Sequence, residues 1–196
     1  VILGKKCRTL WGEDYITDIL CGLRFRISPL SFYQVNRDQA EKLYNKAAEY
    51  AALSGSETVL DLYCGAGTIG LSMANTAKSL IGVEIIPDAI EDAKLNAKLN
   101  NIDNAEFICG DAKDAIKELQ QRNITPKVVI LDPPRKGCNE ELLKTVSEMN
   151  PERIVYVSCD PATLARDAER LLKLGYNVVK VTPVDMFPRT SHVETV

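Results

Sequence analysis

The chain has 196 residues, enough for one domain with a substantial core, and 45% of them are hydrophobic and 26% charged. No apolar run reaches the length of a membrane span and none resembles a signal peptide, so no membrane attachment is expected. A net charge of −3 argues against a strongly basic nucleic-acid surface on this piece. The six cysteines, Cys7, Cys21, Cys64, Cys109, Cys138 and Cys159, are never closer than 14 positions, so there is no C-x-x-C metal or cluster spacing. Unpaired thiols in a domain with a full core point to a reducing, cytoplasmic compartment. The chain starts at Val1 rather than Met, so a longer protein is expected.

In chain order, "YITDIL" (15–20) and "LRFRIS" (23–28) read as a strand pair around Cys21-Gly22. Asn36 then caps a helix, with Gln39 as its capping-box partner. Ala40, Leu43, Tyr44, Ala47, Ala48 and Ala51 give that helix one apolar stripe. Apolar strands come next at "TVLDLYC", "SLIGVEI" (79–85), "AEFICG", "KVVILD" (127–132) and "RIVYVSC" (153–159). Helical segments separate them, the last stopping at Gly175. "YNVVKVTPVDMF" is expected as a sixth strand, and "HVETV" as the start of a seventh that is cut short. Repeated strand–helix units predict an α/β fold with a doubly wound, mostly parallel sheet, and ligands at the carboxyl ends of its strands. The division expected is a strand-rich segment over 1–35, left from a preceding region, and a catalytic domain over 36–196.

The first strand end carries "CGAGTIG", a literal G-x-G-x-x-G at Gly65, Gly67 and Gly70, with Glu84 placed 19 residues after Gly65. This is the fingerprint of an adenosine pocket, with the acid on a ribose hydroxyl. NAD and S-adenosylmethionine both suit such a pocket, and charge separates them. Asp61, just before the loop, repels a pyrophosphate but favours the ammonium and sulfonium of S-adenosylmethionine. Asp111 and Asp132 end two further strands. Asp111 also reads as a plain helix cap. Asp132 opens "DPPRKG", where two prolines make a rigid shelf from which Arg135 projects. Cys159 stands between the fifth strand and a helix headed by Asp160 and Pro161. It reads either as a small buried hydrophobe or as a nucleophile whose thiolate the helix N-terminus favours.

Together, "SPLSFYQVN" (28–36), "DLYCGAGTIGL" (61–71), "LDPPRKG" (131–137), "VYVSCDPATLARD" (155–167) and "DMFPRTSHVETV" (185–196) resemble the catalytic domain of the RNA 5-methyluridine methyltransferases. The resemblance implies a Rossmann-like class I S-adenosylmethionine-dependent methyltransferase acting on a uridine of rRNA or tRNA. It makes Cys159 the nucleophile and Glu194 the general base. It places Gln34, Tyr63, Glu84 and Asp132 at the cofactor, beside Asp61, Gly65 and Asp111 from the reading of the residues. It sets Phe32 and Arg135 near the target base. The family's N-terminal oligonucleotide-binding barrel and cysteine-ligated iron–sulfur cluster are absent from these residues. The expectation is therefore a monomeric piece without a metal that binds S-adenosylmethionine and holds RNA weakly. Its clustered cations are few: Lys5, Lys6 and Arg8; Arg24 and Arg26; Arg135 and Lys136.

The chemistry accounts for the residue types. Carbon 5 of uracil is a weak nucleophile until a thiolate adds to carbon 6, and a base must later remove the carbon 5 proton. His192, the single histidine, reads as a neighbour of Glu194 or a minor substrate contact, and Cys64 as packing. Cys7, Cys21, Cys109 and Cys138 read as structural or incidental. An RNA 5-methylcytidine methyltransferase would need a second catalytic cysteine where "DPPR" stands. A non-catalytic cofactor-binding module would not need Cys159 and Glu194.

Overall fold

The computed structural model describes residues 8–29 and 31–196, so Cys7, Lys5 and Lys6 lie outside the described residues. β1 (Ile16–Leu20) and β2 (Leu23–Ile27) form an antiparallel hairpin. Its two turn residues both take positive φ, +52° at Cys21 and +77° at Gly22, as a two-residue hairpin of matching twist requires. Asn36 caps α1 (Arg37–Ala51) by accepting the amide of Gln39, and donates its own side-chain amide to the Met186 carbonyl.

Next come β3 (Thr58–Leu62), α2 (Thr68–Met73), β4 (Ser79–Glu84), α3 (Pro87–Leu99), β5 (Ala105–Cys109) and α4 (Ala112–Gln121). They are followed by β6 (Val128–Leu131), α5 (Glu140–Glu148), β7 (Arg153–Tyr156) and α6 (Pro161–Lys173). The five strands are parallel in the order β5-β4-β3-β6-β7. Their side chains alternate between two cores. Val59, Leu80 and Val128 face α1 and α2, whereas Leu60, Ile81 and Val129 face α4 and α5. The sheet is thus covered on both faces, as its near-continuous apolar strands require. Strand order reverses between β3 and β6, so a crevice opens at their carboxyl ends.

The sixth strand differs from expectation. Only β8 (Pro183–Val184) forms, antiparallel to β9 (Glu194–Thr195). Thr182 and Val196 extend the ladder by exchanging backbone bonds of 2.8 and 2.9 Å. There it runs out, and no strand among the described residues pairs with 177–181. Val178, Val179 and Val181 are accordingly exposed, and a groove of about 600 Å³ separates them from β7. Alternating valines favour extended backbone, but a strand needs a partner for its amides.

Helix α3 also supplies a partner for a strand edge. The Asn100 side chain accepts the Arg24 amide and donates to the Arg24 carbonyl, and Asn96 does the same at Arg26, all at 2.7–3.1 Å. Asp92 accepts the Ser28 amide at 2.9 Å. Four helical residues rise about 6 Å and two strand residues about 6.7 Å, so the side chains keep step with the strand.

Candidate active site

A cavity of about 1020 Å³ opens at the carboxyl ends of β3, β4 and β6. Its floor is the loop joining β3 to α2. Gly67 takes φ +82° there, a conformation that costs an L side chain dearly. Gly70 packs so closely that a Cβ would stand 2.7 Å from Asp61 Oδ2 and 2.8 Å from Leu80. Its amide donates to the same Asp61 oxygen at 3.0 Å. Gly65 has open space before it, and its amide donates to Glu84 Oε2 at 3.2 Å. The other Glu84 oxygen accepts the amides of Ile85 and Ile86 at 2.8 and 3.0 Å, which fixes the acid at the β4 end.

The structure brings most of the predicted site residues to this cavity. Gln34, Tyr63, Gly65, Glu84, Asp111 and Asp132 line it. So do Phe32, which is largely exposed, and Arg135, Cys159 and Glu194. Asp61 does not line it: its side chain is buried beneath the glycine loop. Asp111 caps α4, accepting the Lys113 amide, and stands on the cavity wall as well. Cys64 is buried, with its thiol pushed well above the usual value by burial, which suits packing.

The electrostatics select the ligand. Burial pushes Asp61 up to about 7, and the Glu84 charge adds to the shift against the Gly70 hydrogen bond. Burial pushes Asp132 up to about 8, with Asp61 and Glu194 adding repulsion. Asp61 Oδ1 is buried without any hydrogen-bond partner. The acids that line the cavity, Glu84, Asp132 and Glu194, oppose a pyrophosphate once ionised and suit a cation. The residues therefore fit S-adenosylmethionine, and Glu84, Ile85 and Ile86 give the cavity wall one acid beside apolar side chains. Among the described residues no group of three or more His, Cys, Asp or Glu could hold a metal ion.

The reactive end is built by one backbone bridge. Ser158 and Thr195 exchange two hydrogen bonds, of 2.9 and 2.8 Å, in antiparallel register. That register places Cys159 opposite Glu194. Ser158 Oγ accepts the Asp160 amide, holding the bend into α6. The expectation that the helix start favours the thiolate is not met. Asp160 takes the amides of Ala162 and Thr163 at 2.9 and 3.0 Å, and Pro161 has none. Leu164 donates to the Asp160 carbonyl, so none of the first-turn amides of α6 is left for the sulfur, which has only the Cys159 amide itself. Burial and then the Glu194 charge raise the Cys159 thiol above its usual value, while Arg135 pulls it down. Burial also raises Glu194, again against Arg135. The counter-charge is therefore Arg135, which donates to His192 Nδ1 at 3.0 Å. His192 stands edge-on to Phe187 at 6.4 Å.

Sequence reasoning missed a buried ionic group beneath the 132–138 loop. Asp167 is fully buried and is held by Arg166 and Arg170. The signal was present: Asp167 falls three after Leu164 and four before Leu171, on the apolar stripe of α6.

Comparison with known proteins identifies the family and the fold. An uncharacterized RNA methyltransferase of Clostridium tetani (strain Massachusetts / E88) is 56% identical over 196 residues, the whole chain and 43% of the relative. One from Staphylococcus aureus (strain COL) is 55% identical over the same shares. The chain thus spans less than half the length of these curated relatives. The crystal structure of Pyrococcus abyssi tRNA (uracil-54, C5)-methyltransferase in complex with S-adenosyl-L-homocysteine superposes with a TM-score of 0.80 at 36% identity. The match covers 94% of this chain and 44% of that one. An S-adenosylmethionine-dependent methyltransferase from Agrobacterium tumefaciens shares the fold, at TM-score 0.69 and 19% identity over 97% of this chain and 70% of its own. The profile of one family matches residues 3–196, and on that match the chain belongs to the tRNA (uracil-5-)-methyltransferase family, whose methyl donor is S-adenosylmethionine.

Proposed function

We propose that this chain transfers a methyl group from S-adenosylmethionine to carbon 5 of a uridine in rRNA or tRNA, through a covalent bond between Cys159 Sγ and carbon 6. The observation that carries the reading is the Ser158–Thr195 bridge, which sets Cys159 and Glu194 side by side at the cavity. Gln34, Tyr63, Gly65, Glu84 and Asp132 line the cofactor's place, with Asp111 on the wall and Asp61 supporting the loop from beneath. The cofactor supplies an electrophilic methyl group. Cys159, as thiolate, adds to carbon 6 and pushes electron density to carbon 5, which takes that methyl group as the methyl–sulfur bond breaks and its electron pair stays with S-adenosylhomocysteine. The Glu194 carboxylate then accepts the proton from carbon 5, and the electrons released expel the Cys159 thiolate. A base that burial makes stronger is suited to that step. On this reading Phe32 and Arg135, which line the same cavity, meet the flipped base.

The test uses RNA containing 5-fluorouridine, whose fluorine cannot be removed as a proton, so the reaction stops at the covalent adduct. An S-adenosylmethionine-dependent protein–RNA adduct is expected, mapping to the Cys159 peptide and absent from Cys159→Ala. An adduct that survives in Cys159→Ala or maps to Cys64 overturns the assignment of the nucleophile.

A further inference from the structure

We infer that Arg166, Asp167 and Arg170 of α6 form a clamp that positions Arg135 against Cys159 and Glu194. The inference rests on the reading of Cys159 as the reactive thiol. It adds a positioning device on the helix that begins beside that thiol.

The clamp grips backbone. Asp167 Oδ2 accepts the Cys138 amide and the Tyr156 hydroxyl, each at 2.7 Å. Asp167 Oδ1 accepts Arg166 Nε at 2.9 Å and Arg170 at 3.0 Å. Arg166 then donates to the Lys136 carbonyl at 2.8 Å, and Arg170 to the Cys138 carbonyl at 3.2 Å. Three main-chain atoms of 136–138 are thereby held by one buried ionic group. Gly137 passes directly over it: its φ is +71°, and a Cβ there would stand 2.4 Å from Asp167 Oδ2.

Arg135 lies between this grip and the sheet. Leu131 ends β6, and Pro133 and Pro134 stiffen the backbone leading to Arg135. Gly137 donates to the Pro134 carbonyl at 2.8 Å, closing a turn around Arg135 and Lys136. Both ends of the bridge that carries Arg135 are fixed. A buried carboxylate with two arginines is a costly way to fill a core, and apolar residues commonly do it as well. What the ionic group adds is a fixed position for the loop. Position matters because the attraction between Arg135 and the thiolate falls with distance. Glu194 and Asp132 both oppose that thiolate.

The experiment measures carboxamidomethylation of Cys159 against pH, read on its peptide by mass spectrometry in the chain as it stands. Arg135→Gln is expected to move the midpoint up by about half a unit or more. Arg166→Gln with Arg170→Gln is expected to produce a shift of the same sign. Arg166→Lys, which keeps the charge but loses the fork, should also shift it. Combined with Arg135→Gln, the two arginine substitutions should add nothing, because they act through Arg135. Additive shifts would show that Arg166 and Arg170 act on the sulfur by their own charge, and would overturn the inference. So would an unmoved midpoint in Arg166→Gln, whose side chain is 41% exposed. Alkylation needs no methyl transfer. Failure of the 5-fluorouridine adduct with the coupling intact would sink the reaction and spare the clamp.

Discussion

Asp132 on the cavity wall, with Asp61 buried beneath its floor, is expected to set the pH behaviour of the cofactor site. Their carboxyls are held at about 7 and about 8, so both are largely protonated in the free protein at pH 6. The folded chain then keeps protons that an unfolded chain releases near 4, so the unliganded protein loses stability as pH rises from about 4 to about 8. A cationic ligand prefers the ionised carboxylates, and its binding expels protons. Affinity for S-adenosylmethionine should therefore rise between pH 6 and 7.5, by up to about tenfold per unit for each proton released. Neutral adenosine should show a flatter profile. Calorimetry in buffers of different ionisation heat measures both the affinity and the proton count. A flat profile for S-adenosylmethionine would show that these carboxylates do not sense its charge. Among single residues, Cys159 and the strand-end acids stood out in the sequence because each ends an apolar run, whereas Glu194 was marked by the family resemblance alone. The charge state of Cys159 was not. Asp160 has both a negative charge and the capacity to absorb the helix amides, and only coordinates show that it uses the second.

Among the elements, α3 shows how side chains stand in for a strand. Asn96 is fully buried, and its side chain makes three hydrogen bonds in two directions. It accepts the Arg26 amide, donates to the Arg26 carbonyl, and donates to the Ala66 carbonyl in the glycine loop at 3.1 Å. The hairpin, α3 and the cofactor loop meet at this one residue. Asn96→Ala leaves two carbonyls and one amide without these partners, and should cost about 2–4 kcal/mol. It should also weaken cofactor binding by loosening Ala66. A melt and a titration on the same variant check both effects; an unchanged melting temperature would deny the ladder its role. The five core strands and the helices between them were legible, because periodicity reports burial and these elements are buried. The sixth strand was not, because valines at 178, 179 and 181 report propensity alone. Pairing is decided by what stands opposite. The Asp92, Asn96 and Asn100 stripe was equally silent, since three polar residues at a spacing of four read as a solvated face.

For the molecule as a whole, charge divides the two ligands. The cavity is acidic and suits a cationic cofactor, whereas RNA affinity comes mainly from phosphate neutralisation. A chain with net charge −3 offers little of that near the cavity beyond Arg135, Lys136 and the partly exposed Arg166 and Arg170. The fold gathers the groups that the proposed chemistry uses, and on this charge balance we propose that the chain holds RNA weakly. Methylation by this chain should therefore be slower than by a full-length relative at one salt concentration, with the same dependence on Cys159. The proposed reaction turns on one hydrogen, which carbon 5 of uridine gives up to Glu194 after Cys159 has added to carbon 6. Its fate is the decisive observable. RNA labelled with tritium at carbon 5 of uridine is incubated with the chain and S-adenosylmethionine, and tritium in water is counted. The expected result is cofactor-dependent release that matches methyl incorporation and is lost in Cys159→Ala and in Glu194→Gln. Methyl incorporation without tritium release, or release only from RNA labelled at carbon 5 of cytidine, would rule the reaction out.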